Sequence, residues 1–127
     1  MPAGGERAES ALCEALRLLG HLGAKRWVAD TLEMTALARE ARGDPASSAR
    51  LFGACDALRR ALGESPGEHR FISSQVRACR HRVAEALGAE AHEEQRTHGQ
   101  RCSVPEAISY ALSELSPGSR PEPAGGP

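Results

Sequence analysis

At 127 residues the chain has room for one domain, and its 16 basic and 17 acidic residues leave a net charge of -1, which sets up no global attraction to nucleic acid or to an anionic membrane. One Trp, one Tyr and two Phe leave alanine and leucine to fill the apolar positions, and no run of four β-branched or aromatic residues occurs. That composition excludes a β-sandwich and points to an all-α fold of closely packed helices.

Residues 1–5 read as a disordered lead-in and residues 6–115 as one helical domain. The first helical stripe, Ala8, Ala11, Leu12, Ala15, Leu16 and Leu19, spans about Glu6 to Leu19 before Gly20-His21-Leu22-Gly23 interrupts it. Leu18 and Leu22 lie outside that stripe, so the apolar face is unusually wide. Leu12, Leu16, Leu18 and Leu22 are therefore candidates for an interaction face, toward a preceding repeat, a second copy or another protein.

The centre of the chain is a pair of helical patterns from Ala24 to Leu62, broken once at Gly43-Asp44-Pro45. In the first, Trp27, Thr31, Met34 and Ala38 share a side, with Val28, Leu32 and Thr35 beside them. Trp27 begins this long stripe and is expected in the core. In the second, Leu51, Phe52, Cys55, Leu58 and Leu62 recur at spacings of three and four. Gly43 suits a left-handed closing position, Asp44 or Ser47 a cap, and Pro45 the first helical turn. These features predict an antiparallel hairpin with a very short turn.

Gly63 to Glu68 has loop chemistry, and a helix is expected from about His69 to Leu87, with Ile72, Val76, Cys79, Val83 and Leu87 on one face. Residues 89–98 have helix propensity but almost no apolar face, and are expected to lean weakly on their neighbours. Ser103, Val104, Pro105 and Glu106 form a capping box ahead of the stripe Ala107, Ile108, Ala111, Leu112 and Leu115. Ser116-Pro117-Gly118 stops that helix, and residues 116–127 read as a disordered Pro/Gly tail. The sum is about six helices in antiparallel hairpins.

The phrases Gly43-Asp44-Pro45 and Leu51-Phe52-Gly53-Ala54-Cys55-Asp56-Ala57-Leu58-Arg59-Arg60-Ala61-Leu62-Gly63 resemble the C-terminal tetratricopeptide-like region of large actinobacterial ATPase-type transcriptional regulators, LuxR-type and related. Arg77 to Gly88 and Gly99 to Leu112 are similar to later helices of that region. The resemblance covers roughly residues 8–115. It implies tetratricopeptide-like packing, with Ala36, Ser48 and Cys55 at small-residue positions and Phe52 at the bulky one. Trp27, Leu32 and Leu58 complete the expected hairpin contacts. The sequence departs from the pattern at Ser48, where alanine is usual, at His92 and Gln95, where aromatics are usual, and at Cys102, which replaces a leucine. A phosphate-binding loop is missing, so the family's ATPase, like its DNA-binding helix-turn-helix, lies outside this chain. The resemblance implies a protein partner or an adjacent repeat or ATPase domain, with a homodimer as a further arrangement.

Chemistry-bearing constellations are sparse. Cys79 and His81 point about 160° apart on a helix, and no Cys-x-x-Cys or His-Glu-x-x-His spacing occurs, so neither a metal nor another cofactor is expected. Asp30, Glu33, Glu40 and Asp56 read as solvated helix-face acids and not as a catalytic pair, so no enzyme is expected. Cys13, Cys55, Cys79 and Cys102 read as free thiols of a reducing cytoplasm; two disulfides in any of three pairings are the alternative.

No apolar stretch approaches the roughly 18 residues that span a bilayer, and the start lacks the regions of a signal peptide, so no membrane contact is expected. Residues 50–82 carry seven arginines against three acids. Arg59, Arg60, Arg70, Arg77 and Arg80 form a candidate basic patch, and hence an alternative role as the DNA-contacting part of a regulator. The main expectation is a non-catalytic scaffold or protein-interaction module.

Overall fold

The computed structural model describes residues 4–64 and 73–115, with side chains placed for 7–64 and 74–115. Six helices account for nearly all of these residues: α1 (Gly4–Leu22), α2 (Lys25–Ala41), α3 (Pro45–Ala61), α4 (Ser73–Leu87), α5 (Ala89–Gln100) and α6 (Val104–Leu115). The all-α fold of helical hairpins is as the sequence predicts. The tail beyond Leu115, residues 65–72 with Arg70 among them, and most of the lead-in lie outside the described residues.

Helix ends follow from local chemistry. At the α2–α3 turn Gly43 takes φ +82, and the amides of Gly43 and Asp44 donate to the carbonyls of Glu40 and Arg39 at 2.9 Å each. That satisfies two carbonyls of the last turn in a Schellman arrangement, which only a residue tolerant of positive φ permits. Asp44 then accepts the Ser47 amide at 3.2 Å, and Pro45 opens α3. The capping box also forms: the Ser103 amide donates to Glu106 at 2.8 Å, and the Glu106 amide donates to the Ser103 hydroxyl at 3.2 Å.

α1 does not stop at Gly20 as expected but runs on to Leu22. Gly20 has a packing reason to sit inside the helix, since a Cβ there would lie 2.8 Å from Ile108 Cδ1 of α6.

The α2–α3 hairpin forms the centre. α3 packs on α2, α4, α5 and α6, while α1 and α6 pair with each other and cover α2. The last helix therefore returns to the first, instead of extending a linear stack. The core comprises Val28, Ala29, Leu32 and Ala36 of α2, and Leu51, Phe52, Cys55 and Leu58 of α3. Val76, Cys79 and Val83 enter from α4, Ala107, Ala111 and Leu115 from α6, and Cys13 and Leu16 from α1.

Small polar atoms tighten the central pair. Ser48 donates its hydroxyl to the Ala36 carbonyl at 2.8 Å, and the Cys55 thiol lies 3.4 Å from the Ala29 carbonyl. A buried serine at that position satisfies a carbonyl that alanine would leave to its helix bond alone.

The expectation for residues 89–98 is corrected. α5 does not lean weakly; it lies directly against α3, backbone to backbone. A Cβ on Gly53 would collide with the Arg96 carbonyl oxygen and lie 3.1 Å from Arg96 Cα. One on Gly99 would collide with the Arg50 carbonyl oxygen and lie 2.9 Å from the Ala54 nitrogen. Close approach through two glycines replaces an apolar stripe as the docking device.

Candidate interaction surface

On α2 the expected inward side divides, with Thr31 buried and its two largest members turned out. Trp27 is 62% exposed and Met34 50%, whereas Val28, Leu32 and Thr35, read as flanking, are buried with Ala29 and Ala36. The placement of Trp27 in the core is thereby corrected. The buried stripe is disguised by polar residues whose needs are met locally. Thr31 and Thr35 donate to the carbonyls four residues back at 2.8 and 2.7 Å, and Arg39 donates to the Glu114 carbonyl at 3.0 Å and to Asp44 at 3.1 Å. The remaining hairpin residues, Leu32, Ala36, Ser48, Phe52, Cys55 and Leu58, are buried at the centre.

The interaction face expected on α1 divides in two. Leu16 is fully buried and Leu12 half-buried against the core, so neither is available to a partner; they belong to the face formed by Glu9 and Cys13 against α2 and α6. Leu18 and Leu22 remain exposed, at 59% and 66%. Glu14, Arg17, Leu18 and His21 line a shallow, open depression beside them.

The candidate basic patch is dismantled by ion pairing. Arg59 is buried, and its guanidinium reaches Asp30 at 2.8 Å, Glu33 at 3.2 Å and Glu64 at 3.2 Å. Burial works against its charge. The neighbouring Cys55, the hydrogen bond to Asp30 and the Glu33 carboxylate outweigh that and hold Arg59 more firmly protonated than usual. Arg80 grips Asp56 with two bonds of 2.7 and 2.9 Å and lies 4.3 Å from the Phe52 ring centre. Glu33 and Asp56 are not the solvated acids expected: Glu33 is a buried partner of Arg59, and Asp56 pairs with Arg80. Arg60 and Arg77 are exposed, and Arg70 lies outside the described residues.

A second, part-buried pairing, missed in the sequence, joins α1 to the end of α2. Arg42 holds both carboxylate oxygens of Glu9 at 2.9 and 3.0 Å, and Arg39 stands 3.9 Å from the same group. The separation of Glu9 from Arg42 along the chain hid it.

Among the described residues no group of three or more His, Cys, Asp or Glu is placed to hold a metal ion. All four cysteines are free thiols. Burial pushes the Cys55 thiol up to about 12 and raises Cys13 and Cys79 as well, which keeps all three protonated and shielded. Cys102, also raised by burial and by Glu106, is the least covered of the four. An aromatic disulfide reagent should therefore label one thiol rapidly in the native protein, Cys102, with the other three at least ~10-fold slower until denaturant is added. Rapid labelling of two or more in the folded state would contradict this placement.

No helix is long and apolar enough to cross a membrane among the described residues. The sequence matches no family model and no curated protein, and the fold matches no solved structure.

Proposed function

We propose that this chain is a non-catalytic helical scaffold that works by binding protein, related to or part of a transcriptional regulator. One observation carries the first half: Leu18, Leu22, Trp27 and Met34 are the large apolar side chains that stand in solvent among the described residues. Large exposed apolar groups concentrated on one hairpin mark an interaction surface. The regulator assignment rests on the likeness of Gly43-Asp44-Pro45 and the Leu51–Gly63 phrase to the helical region of LuxR-type ATPase regulators. A cytoplasmic location accompanies it.

The DNA-contacting alternative is the less favoured reading. Arg59 and Arg80 pair with carboxylates of the chain, leaving Arg60 and Arg77 as the exposed ones among the four candidate arginines with described side chains. Two such contacts give a weak and strongly salt-sensitive attraction. In a fluorescence anisotropy titration with duplex DNA, the chain should show no saturable binding at about 10 μM protein and 150 mM salt. Saturable binding under those conditions that is lost in Arg60→Ala/Arg77→Ala would overturn the interaction-module reading.

A further inference from the structure

The outward surface of α1 is a regular seam. Ala8, Ala11, Ala15, Leu18 and Leu22 recur at spacings of three, four, three and four, the a/d rhythm of a coiled coil. The seam is separate from the buried face. Gly20, which sits against Ile108 of α6, is about 160° round the helix from Leu18, so the seam points directly away from the core. Trp27 and Met34 are the exposed apolar side chains of α2, the next helix; they lie about 60–80° round from Arg42, which reaches α1, and about 40–60° from Asp30, which reaches α3, so they face outward beside α1.

We propose that this surface binds a second copy of the same chain, with the two α1 helices antiparallel about a two-fold axis near Leu16 and Arg17. The inference rests on the interaction-module reading and names its partner. Two independent features of α1 make it complementary to itself in that direction. The first is size: the seam is small in its first half and large in its second. An antiparallel pairing sets Leu22 over Ala11 and Leu18 over Ala15 of the other copy, filling each hole with a knob. A parallel pairing stacks leucine on leucine and leaves the alanine rungs apart.

The second is charge. Along one flank of the seam the order is Arg7, Glu14, Arg17 and His21, the last three lining the shallow depression. Reversal places the Glu14 carboxylate of each copy beside the basic half of the other; parallel alignment places like against like. Covering Leu18, Leu22, Trp27 and Met34 removes on the order of 500 Å² per copy, and the alanine rungs and polar flank bring this toward the roughly 800 Å² per partner of a stable interface. Trp27, at the Leu22 end of the seam, comes to lie beside the first turns of α1 of the second copy.

The test uses the full chain in sedimentation equilibrium from 1 to 200 μM, as an order-of-magnitude range, with Trp27 emission recorded over the same series. We expect reversible dimerisation with a micromolar dissociation constant. The emission maximum of this single tryptophan should move to shorter wavelength as the mass rises. Leu18→Glu/Leu22→Glu should weaken the dimer at least ~30-fold with helicity and melting unchanged, because both side chains are exposed in the single chain. Ala11→Leu adds an apolar group to the seam yet should weaken the dimer roughly ten-fold, because it fills the hole that Leu22 needs. Glu14→Arg should weaken it about five-fold, and adding His21→Glu should restore it.

A helical monomer at 200 μM with unshifted emission overturns the proposal, as does a dimer indifferent to Leu18→Glu/Leu22→Glu or strengthened by Ala11→Leu. Should the double glutamate variant unfold, Ala11→Leu and the charge exchange decide the question. The mass readout and the DNA titration are separate. A monomer that ignores DNA sinks only the self-association and leaves the surface to a different protein, whereas saturable DNA binding sinks the module reading itself.

Discussion

Replacing Gly99 by alanine is expected to cost about 3 kcal/mol of folding stability, roughly 10–15 °C in melting temperature for a domain of this size. Helix propensity alone predicts the opposite sign, a gain of about 1 kcal/mol for alanine over glycine in a helix. The close approach of α5 to α3 decides it. The added Cβ meets the Arg50 carbonyl oxygen, with its carbonyl carbon at 2.8 Å and the Ala54 nitrogen at 2.9 Å, all main-chain atoms of a central helix that no side-chain rotation can move aside. α5 must lift away, and it carries no apolar stripe with which to find another seat.

Gly53→Ala meets the Arg96 backbone in the same way and should cost a similar amount. The double variant should cost less than the sum, because α5 needs to be displaced only once. Gly20→Ala is the control. Its Cβ meets the free end of Ile108, which can rotate, so that variant should melt within a few degrees of wild type. Thermal melts followed by circular dichroism settle the matter; a Gly99→Ala melting point within about 2 °C of wild type would sink the account of how α5 is held.

The contrast shows where periodicity is and is not informative. Five of the six helices announce themselves by an apolar stripe, and the hairpin turn by Gly43-Asp44-Pro45, because burial of a face and closure of a helix end are local demands with local signatures. α5 had no such signature, since its contact is made by what is missing from Gly53 and Gly99. The available signal was a glycine in the interior of a helical pattern, which costs about 1 kcal/mol against alanine and so asks for a packing reason.

α2 failed differently. It has two stripes, and the one with Trp27 and Met34 is the more hydrophobic to the eye. The buried one contains Thr31, Thr35 and Arg39, whose donors are satisfied by backbone carbonyls and Asp44. Which face turns inward was set by α3 and α6 docking on alanines and threonines, a tertiary fact that a single helix does not encode. On α1 the width of the apolar pattern was legible, but not that it comprises two separate faces. The arginine count of residues 50–82 was likewise visible, while the acids that consume Arg59 and Arg80 come from elsewhere along the chain.

Arg59→Met is expected to cost about 3–4 kcal/mol, read from urea unfolding, although methionine keeps most of the buried bulk. The guanidinium serves Asp30, Glu33 and Glu64 at once, joining α2 to the end of α3. Removing it affects the three acids unequally. The Asp30 side chain is 44% exposed and can turn to water, and Glu64 keeps Arg26 at 3.0 Å. The Glu33 side chain, only 4% exposed, loses this guanidinium inside the protein. Its contact with Arg59 is the most buried of the three, so Arg59→Met and Glu33→Leu should be coupled, the double variant costing less than the sum of the two single changes. Arg59→Lys should fall between, because one ammonium group cannot span three carboxylates in the positions that the planar fork reaches. A variant within about 1 kcal/mol of wild type, or a double variant costing the full sum of the single changes, would show that the cluster is an exposed decoration and not the charged core of the hairpin.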